Sequence, residues 1–199
     1  MPQDERYFRQ IFSGELIKGE TRSEDKKYSF NIHTPYYDLD LNHDGNPEQI
    51  VFVKKDGEDW VDIFEQNKLE KKKIFSYRFE TKGFDSELYR IELKRLSPKT
   101  YVILMYYFEG LSRYIELQST ARVYVGTIDN EDLKTISVFK GASFFEEKKS
   151  FKGHYHKRNY EVFLQDLNND QAKELIIKHN LTSQVFIYNG NGAWKGFNN

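Results

Sequence analysis

Asp40-Leu41-Asn42-His43-Asp44-Gly45-Asn46-Pro47-Glu48 places oxygen-bearing side chains at positions 1, 3, 5 and 9 of a short loop, with glycine at position 6. That is how a chain wraps a hard cation such as calcium, which takes about six to eight oxygen ligands. Alternate residues of a tight loop converge on one point, position 6 must turn with positive φ, and glycine does so at little cost. Position 7 then offers a carbonyl and position 9 a carboxylate. The expected ligands are Asp40, Asn42, Asp44, the carbonyl of Asn46 and Glu48. A near copy supplies Asp166, Asn168, Asp170, the carbonyl of Ala172 and Glu174, with Gln171 where the first loop has glycine. Gln171 must adopt a strained turn or shift its loop. The competing reading is that Asp and Asn at alternate positions make metal-free Asx-turns. Two copies with the same acids, each leading into an apolar run, count against it.

Neither loop fits a helix-loop-helix calcium switch, which takes a glutamate at position 12 between helices. Position 12 here is Val51 or Ile177, inside Ile50-Val51-Phe52-Val53 or Leu175-Ile176-Ile177. The pattern Asp-x-Asn-x-Asp-Gly-x-x-Glu running into such a strand resembles the FG-GAP/VCBS repeat, the calcium loop of integrin-type β-propeller blades. Tyr37-Asp38-Leu39 and Val162-Phe163-Leu164-Gln165 fit its leading strand, so the resemblance covers residues 28–66 and 155–195. It extends to uncharacterised bacterial proteins with such repeats. It implies a structural cation that ties adjacent strands, and no transferable activity.

Other chemistry is thinner. His154 and His156 form a His-x-His pair that would share one face of a strand, but Lys152, Lys157 and Arg158 surround it and no third ligand is near in sequence. His43, at loop position 4, points away from a metal. Glu109 and Glu116 flank a turn and could pair as glycosidase acids, although nothing else in the chain supports that role. Asn180-Leu181-Thr182 fits a glycosylation sequon. There is no phosphate loop, nucleophile elbow or His-Glu-x-x-His, so no catalytic residue is assigned. Tyr106, Tyr107, Tyr114 and Tyr124 read first as core and second as an exposed binding face.

The elements that must position the loops are strands. Fourteen Tyr and sixteen Phe in 199 residues suit pleated, half-buried surfaces. Tyr28–Ile32 alternates with period two, Asp56-Gly57 signals a two-residue hairpin between Ile50–Val53 and Trp60–Phe64, and Lys73–Glu80 alternates again. Tyr101–Phe108 is the most apolar run. Leu88–Leu96, Arg122–Ile128, Leu133–Lys140, Tyr160–Leu164 and Gln184–Tyr188 complete the set. Short helices are predicted at residues 5–18, from the spacing of Phe8, Ile11 and Phe12, and within 143–158, where Ser143 precedes Glu146 as in a capping box. The expected fold is mainly β: a single domain over 1–199, built as a propeller-like or sandwich array of antiparallel hairpin repeats at about 28–82, 86–140 and 155–195. The ligand-free turn at 97–100 falls near the midpoint between the two loops, and periods of roughly 40–60 residues with several strands mark blade-like arrays.

Composition sets further bounds. Lys plus Arg (30) nearly balances Asp plus Glu (31), which gives no basic field for nucleic acid. Without cysteine there are no disulfides and no thiolate zinc sites. No run reaches the roughly 20 apolar residues of a membrane helix, and no leader is visible at Met1-Pro2-Gln3-Asp4. The expectation is a calcium-stabilised, non-enzymatic module for binding or adhesion in a bacterial envelope, with a protein or carbohydrate ligand. A calcium-containing hydrolase of glycans or phosphate esters, and a cytosolic scaffold with metal-free loops, stay open.

Overall fold

A computed structural model describes residues 36–66, 71–80, 85–113, 116–150, 152–158, 161–179 and 182–198. The predicted helix at 5–18, the strand at 28–32, Tyr114 and the first two residues of the sequon lie outside them. The chain is mainly β, in three antiparallel sheets whose strands follow one another in sequence order. The first holds β1 (Tyr36–Leu39), β2 (Glu48–Lys55), β3 (Glu58–Gln66) and β4 (Lys71–Arg78). The middle sheet holds β5 (Asp85–Ser97), β6 (Thr100–Arg113), β7 (Glu116–Asp129), β8 (Ser137–Ser150) and β9 (Gly153–Arg158). The third holds β10 (Glu161–Gln165), β11 (Glu174–His179), β12 (Thr182–Tyr188) and β13 (Trp194–Asn198). Each is an up-and-down meander, the topology of a propeller blade, but the sheets close into no barrel or propeller.

Local chemistry sets the turns. Asp56 (φ 54°) and Gly57 (φ 78°) are both left-handed, as a type I′ hairpin requires, and Lys55 pairs with Glu58 across them. Gly141 sits where β7 and β8 lose regular register, and a Cβ there would come within 2.5 Å of the Val123 carbonyl oxygen. No other residue lets the two backbones approach so closely.

The middle sheet is covered on both faces, which explains the unbroken apolar run in β6. All of Tyr101–Phe108 is buried. Ile103, Met105 and Tyr107 join Leu41, Ile50, Phe52, Val61 and Ile63 of the first sheet in one cluster. Phe79 stacks on Tyr107 at 4.5 Å and meets Tyr124 edge-on at 4.8 Å. On the other face Thr127, paired with Val102, accepts the Trp194 indole N–H at 3.1 Å. Phe139, paired with Val125, packs against Phe186 and Trp194. The array is therefore three sheets deep.

Two expectations are corrected. The helix within 143–158 is absent: residues 137–150 form β8 and 153–158 form β9. Ser143 does bond Glu146 at 2.7 Å, as the capping-box spacing suggested, but on an irregular strand. Pairing with β7 and β9 satisfies this backbone and buries Phe144 and Phe145, whereas a short helix alone is marginal. Among the described residues the helical content is one 3-10 turn, Leu133–Thr135, capped by Asp132. Second, Tyr106, Tyr107 and Tyr124 form no exposed binding face, because all three are buried in the double-sided middle sheet.

Candidate functional site

The two acidic loops join equivalent strands. The first runs from β1 to β2 and the second from β10 to β11, closing on the antiparallel pairs Leu39↔Glu48 and Gln165↔Glu174. Their internal hydrogen bonds match residue for residue. Asp40 accepts the N–H groups of Asp44 (3.1 Å) and Gly45 (3.0 Å), and Asp166 accepts those of Asp170 (3.3 Å) and Gln171 (3.0 Å). Asp44 accepts the N–H of Asn46 at 2.7 Å and Asp170 that of Ala172 at 2.7 Å. The Asn42 and Asn168 amides donate to Asp44 and Asp170 at 3.0 and 2.8 Å.

Backbone angles match as well. His43 and Asn169 stand at φ 57° and 61°, and Gly45 and Gln171 at 88° and 72°. Gln171 thus takes the strained turn without shifting its loop, at a cost of roughly 1–2 kcal/mol for a left-handed non-glycine residue.

The ninth-position acids differ from the others in being buried. Glu48 is 2 % exposed and accepts the Leu41 N–H at 2.8 Å; Glu174 is 4 % exposed and accepts the Leu167 N–H at 2.8 Å. Each pins the start of its loop to the root of an inner strand. Burial pushes the Glu48 carboxyl above its ordinary range, and the negative charges of Asp44 and Asp40 push the same way, against the Leu41 hydrogen bond. The backbone N–H of Asn46 and the Asn42 side chain hold Asp44 below the usual carboxylate range.

Asp40, Asn42, Asp44, Glu48 and the Asn46 carbonyl are the groups that could hold a cation, with their counterparts in the second loop. The donor set is all oxygen with three carboxylates, which suits a hard dication, and mutual repulsion at Glu48 is what a cation would relieve. The cage is not preformed: the aspartates face their own loop amides, and among the described residues no three His, Asp or Glu side chains converge as a metal-binding group.

Tertiary contacts bring both loops to one hairpin. The His43 ring lies 4.2 Å from the Tyr101 ring at 53°, so this histidine packs on the middle sheet. The Lys173 N–H donates to the Leu96 carbonyl at 2.9 Å. The loops therefore flank the β5–β6 turn at one end of the array. In sequence this showed only as a ligand-free turn near their midpoint.

The remaining candidates do not assemble. His154 and His156 lie on β9 opposite Lys149 and Glu147. Glu109 pairs with Thr120 while Glu116 pairs with Arg113. Four strand positions, roughly 13 Å, separate the two acids along the hairpin, beyond the spacing of glycosidase pairs.

The sequence reading missed a buried polar cluster. Asp59 on β3, 3 % exposed, accepts the Tyr107 hydroxyl of β6 at 2.5 Å and the Ser86 hydroxyl of β5. Lys54 Nζ reaches Ser86 at 3.5 Å. Nothing in the Gly57-Glu58-Asp59-Trp60 stretch announces this role except strand alternation, which puts Asp59 on the same face as Val61. No protein family, curated protein or solved structure matches this chain.

Proposed function

We propose that the chain is a calcium-stabilised, non-enzymatic β-repeat module of the FG-GAP/VCBS type. Its cations tie the first two strands of the outer sheets together, and its surface serves binding or adhesion to a protein or carbohydrate. The observation that carries this reading is the pair of loops. They repeat one hydrogen-bond net and one set of left-handed angles, each closed by a buried glutamate, around an all-oxygen donor set. A bacterial envelope, where calcium is plentiful, is the compartment that fits it.

Calorimetric titration with calcium, and melting with calcium or chelator, test it. A cation at about a hundredfold its Kd stabilises by about 2.7 kcal/mol per site, a melting shift of roughly 5–10 °C for a domain of this size. Asp44→Ala should weaken binding more than Asp170→Ala, because glycine makes the first turn without strain. No heat and no shift would remove the metal from the proposal.

A second reading has its own observation. The loop aspartates already accept backbone N–H groups, as metal-free Asx-turns do. On that reading the module is a scaffold, and Asp44→Ala destabilises it equally with calcium and with chelator.

A further inference from the structure

The repeat makes equivalent surfaces comparable, and one of them is bare. Position 2 of the first loop, Leu41, is 0 % exposed in the core between the first and middle sheets; position 2 of the second loop, Leu167, is 49 % exposed. The same difference runs across the sheets. In the first sheet Ile50 and Ile63 face the middle sheet and are buried. Their counterparts Ile176 and Val185 lie on the face of the third sheet opposite Phe186, Tyr188 and Trp194, the residues that contact the middle sheet. Pairing extends that outer face to Phe163, opposite Ile176, and to Phe197, opposite Val185 and 42 % exposed. Leu167 and Phe197 are the exposed large hydrophobic residues among those described.

The opposite end of the array differs. On the outer face of the first sheet, Asp38 accepts the Gln49 and Gln66 amides, Lys71 donates to Gln49, and Asp62 accepts Lys73 and Ser76. Val51, Trp60 and Phe64 share this face, half-buried. One end of the stack thus carries a self-satisfied polar net of the kind that caps repeat arrays, and the other carries none.

We propose that the bare face is a self-association surface, through which two copies of the chain pack β10–β13 against β10–β13 about a two-fold axis. Inside one molecule the equivalent face of the first sheet is covered by an antiparallel sheet, so a sheet is the kind of surface that fits. A head-to-tail contact would set this apolar face on the polar net and leave growing ends. The two-fold contact sets like on like and closes the assembly, with polar caps outermost. Four strands about 4.8 Å apart, each of about six residues, give a footprint of roughly 19 by 20 Å, or about 400 Å² per copy. That is small for a specific interface, so the dimer dissociates on dilution. No metal is needed for this contact.

Sedimentation equilibrium of the full chain from about 1 to 500 µM tests it. The mass should rise from 23.8 kDa toward twice that value. Leu167→Lys with Phe197→Lys should hold the single-chain mass throughout, with the melting temperature of dilute protein unchanged. If that double variant fails to fold, Leu167→Ser, at a position already half exposed, carries the same test. Lys73→Glu with Arg78→Glu, on the opposite end, should leave association intact. A single-chain mass at every concentration, with the face covered by some other occupant, would overturn the proposal. So would loss of association in the Lys73/Arg78 variant with retention in the Leu167/Phe197 variant.

Discussion

Replacing Asp59 probes what holds the first sheet on the middle one. Asp59→Ala removes the acceptor of two buried hydroxyls from the other sheet, Tyr107 on β6 and Ser86 on β5. A buried donor left without a partner costs roughly 1–3 kcal/mol. Ser86 can turn toward Lys54 at 3.5 Å and recover part of its loss; Tyr107, 0 % exposed, is held by Phe79 stacked on its ring. The sum is about 2–5 kcal/mol, a fall in melting temperature of roughly 4–20 °C at about 2–4 °C per kcal/mol. Tyr107→Phe leaves Asp59 with Ser86 as donor and should cost about 1–2 kcal/mol. The double variant should cost less than the sum of the singles by about 1 kcal/mol or more, because the orphaned hydroxyl is gone with its partner. Burial, then the bond to Asp59, pushes the Tyr107 hydroxyl far above its ordinary range. It therefore remains a neutral donor wherever the protein is folded, and the Tyr107 side of the contact should not titrate. Urea unfolding of the four proteins at neutral pH measures the cycle. An Asp59→Ala cost under about 1 kcal/mol, or strictly additive singles, would refute the claim that this cluster clamps the sheets.

Two further outcomes follow from the loops. The Glu48 carboxyl is raised above its unfolded value of 4.5, so its protonated form favours the folded state; that contribution is fully present below 4.5 and is lost as pH rises through the folded pKa. In chelator, Glu48→Gln should therefore gain stability relative to the native chain at neutral pH, the gain shrinking toward pH 4.5 and reversing in calcium; thermal melts across pH would show a flat difference if the reasoning is wrong. Gln171→Gly should relieve a left-handed turn while adding unfolded-chain entropy, a net gain of roughly 0–1 kcal/mol, whereas Gly45→Ala should lose about 1–2 kcal/mol; equal effects in urea unfolding would show that the two φ angles are not under the same constraint.

The paired loops matter for how the array can work. Both sit at the end of the stack where β5 turns into β6, one through His43 on Tyr101 and the other through Lys173 on Leu96. A cation in either loop would stiffen the same edge of the middle sheet, so the two sites need not be energetically separate even though they lie far apart in sequence.

Much of this was legible in the residues because its causes are local. The oxygen spacing of Asp40–Glu48 and Asp166–Glu174, the Asp56-Gly57 hairpin and the period-two strands depend on neighbours a few positions away, and each appears where its side chains dictate. The same local logic misassigned residues 143–158: a serine three places before a glutamate does form its bond, but strand pairing with β7 and β9 outweighs a helix that would stand alone. Burial of Tyr106, Tyr107 and Tyr124, the Asp59 clamp, the meeting of both loops at one hairpin, and the contrast between Leu41 and Leu167 were decided only in three dimensions. Their physical reason is shared. Two leucines in nearly identical loops differ because one has a sheet stacked over it and the other does not, and that stacking joins residues scattered along the chain, which no local pattern records.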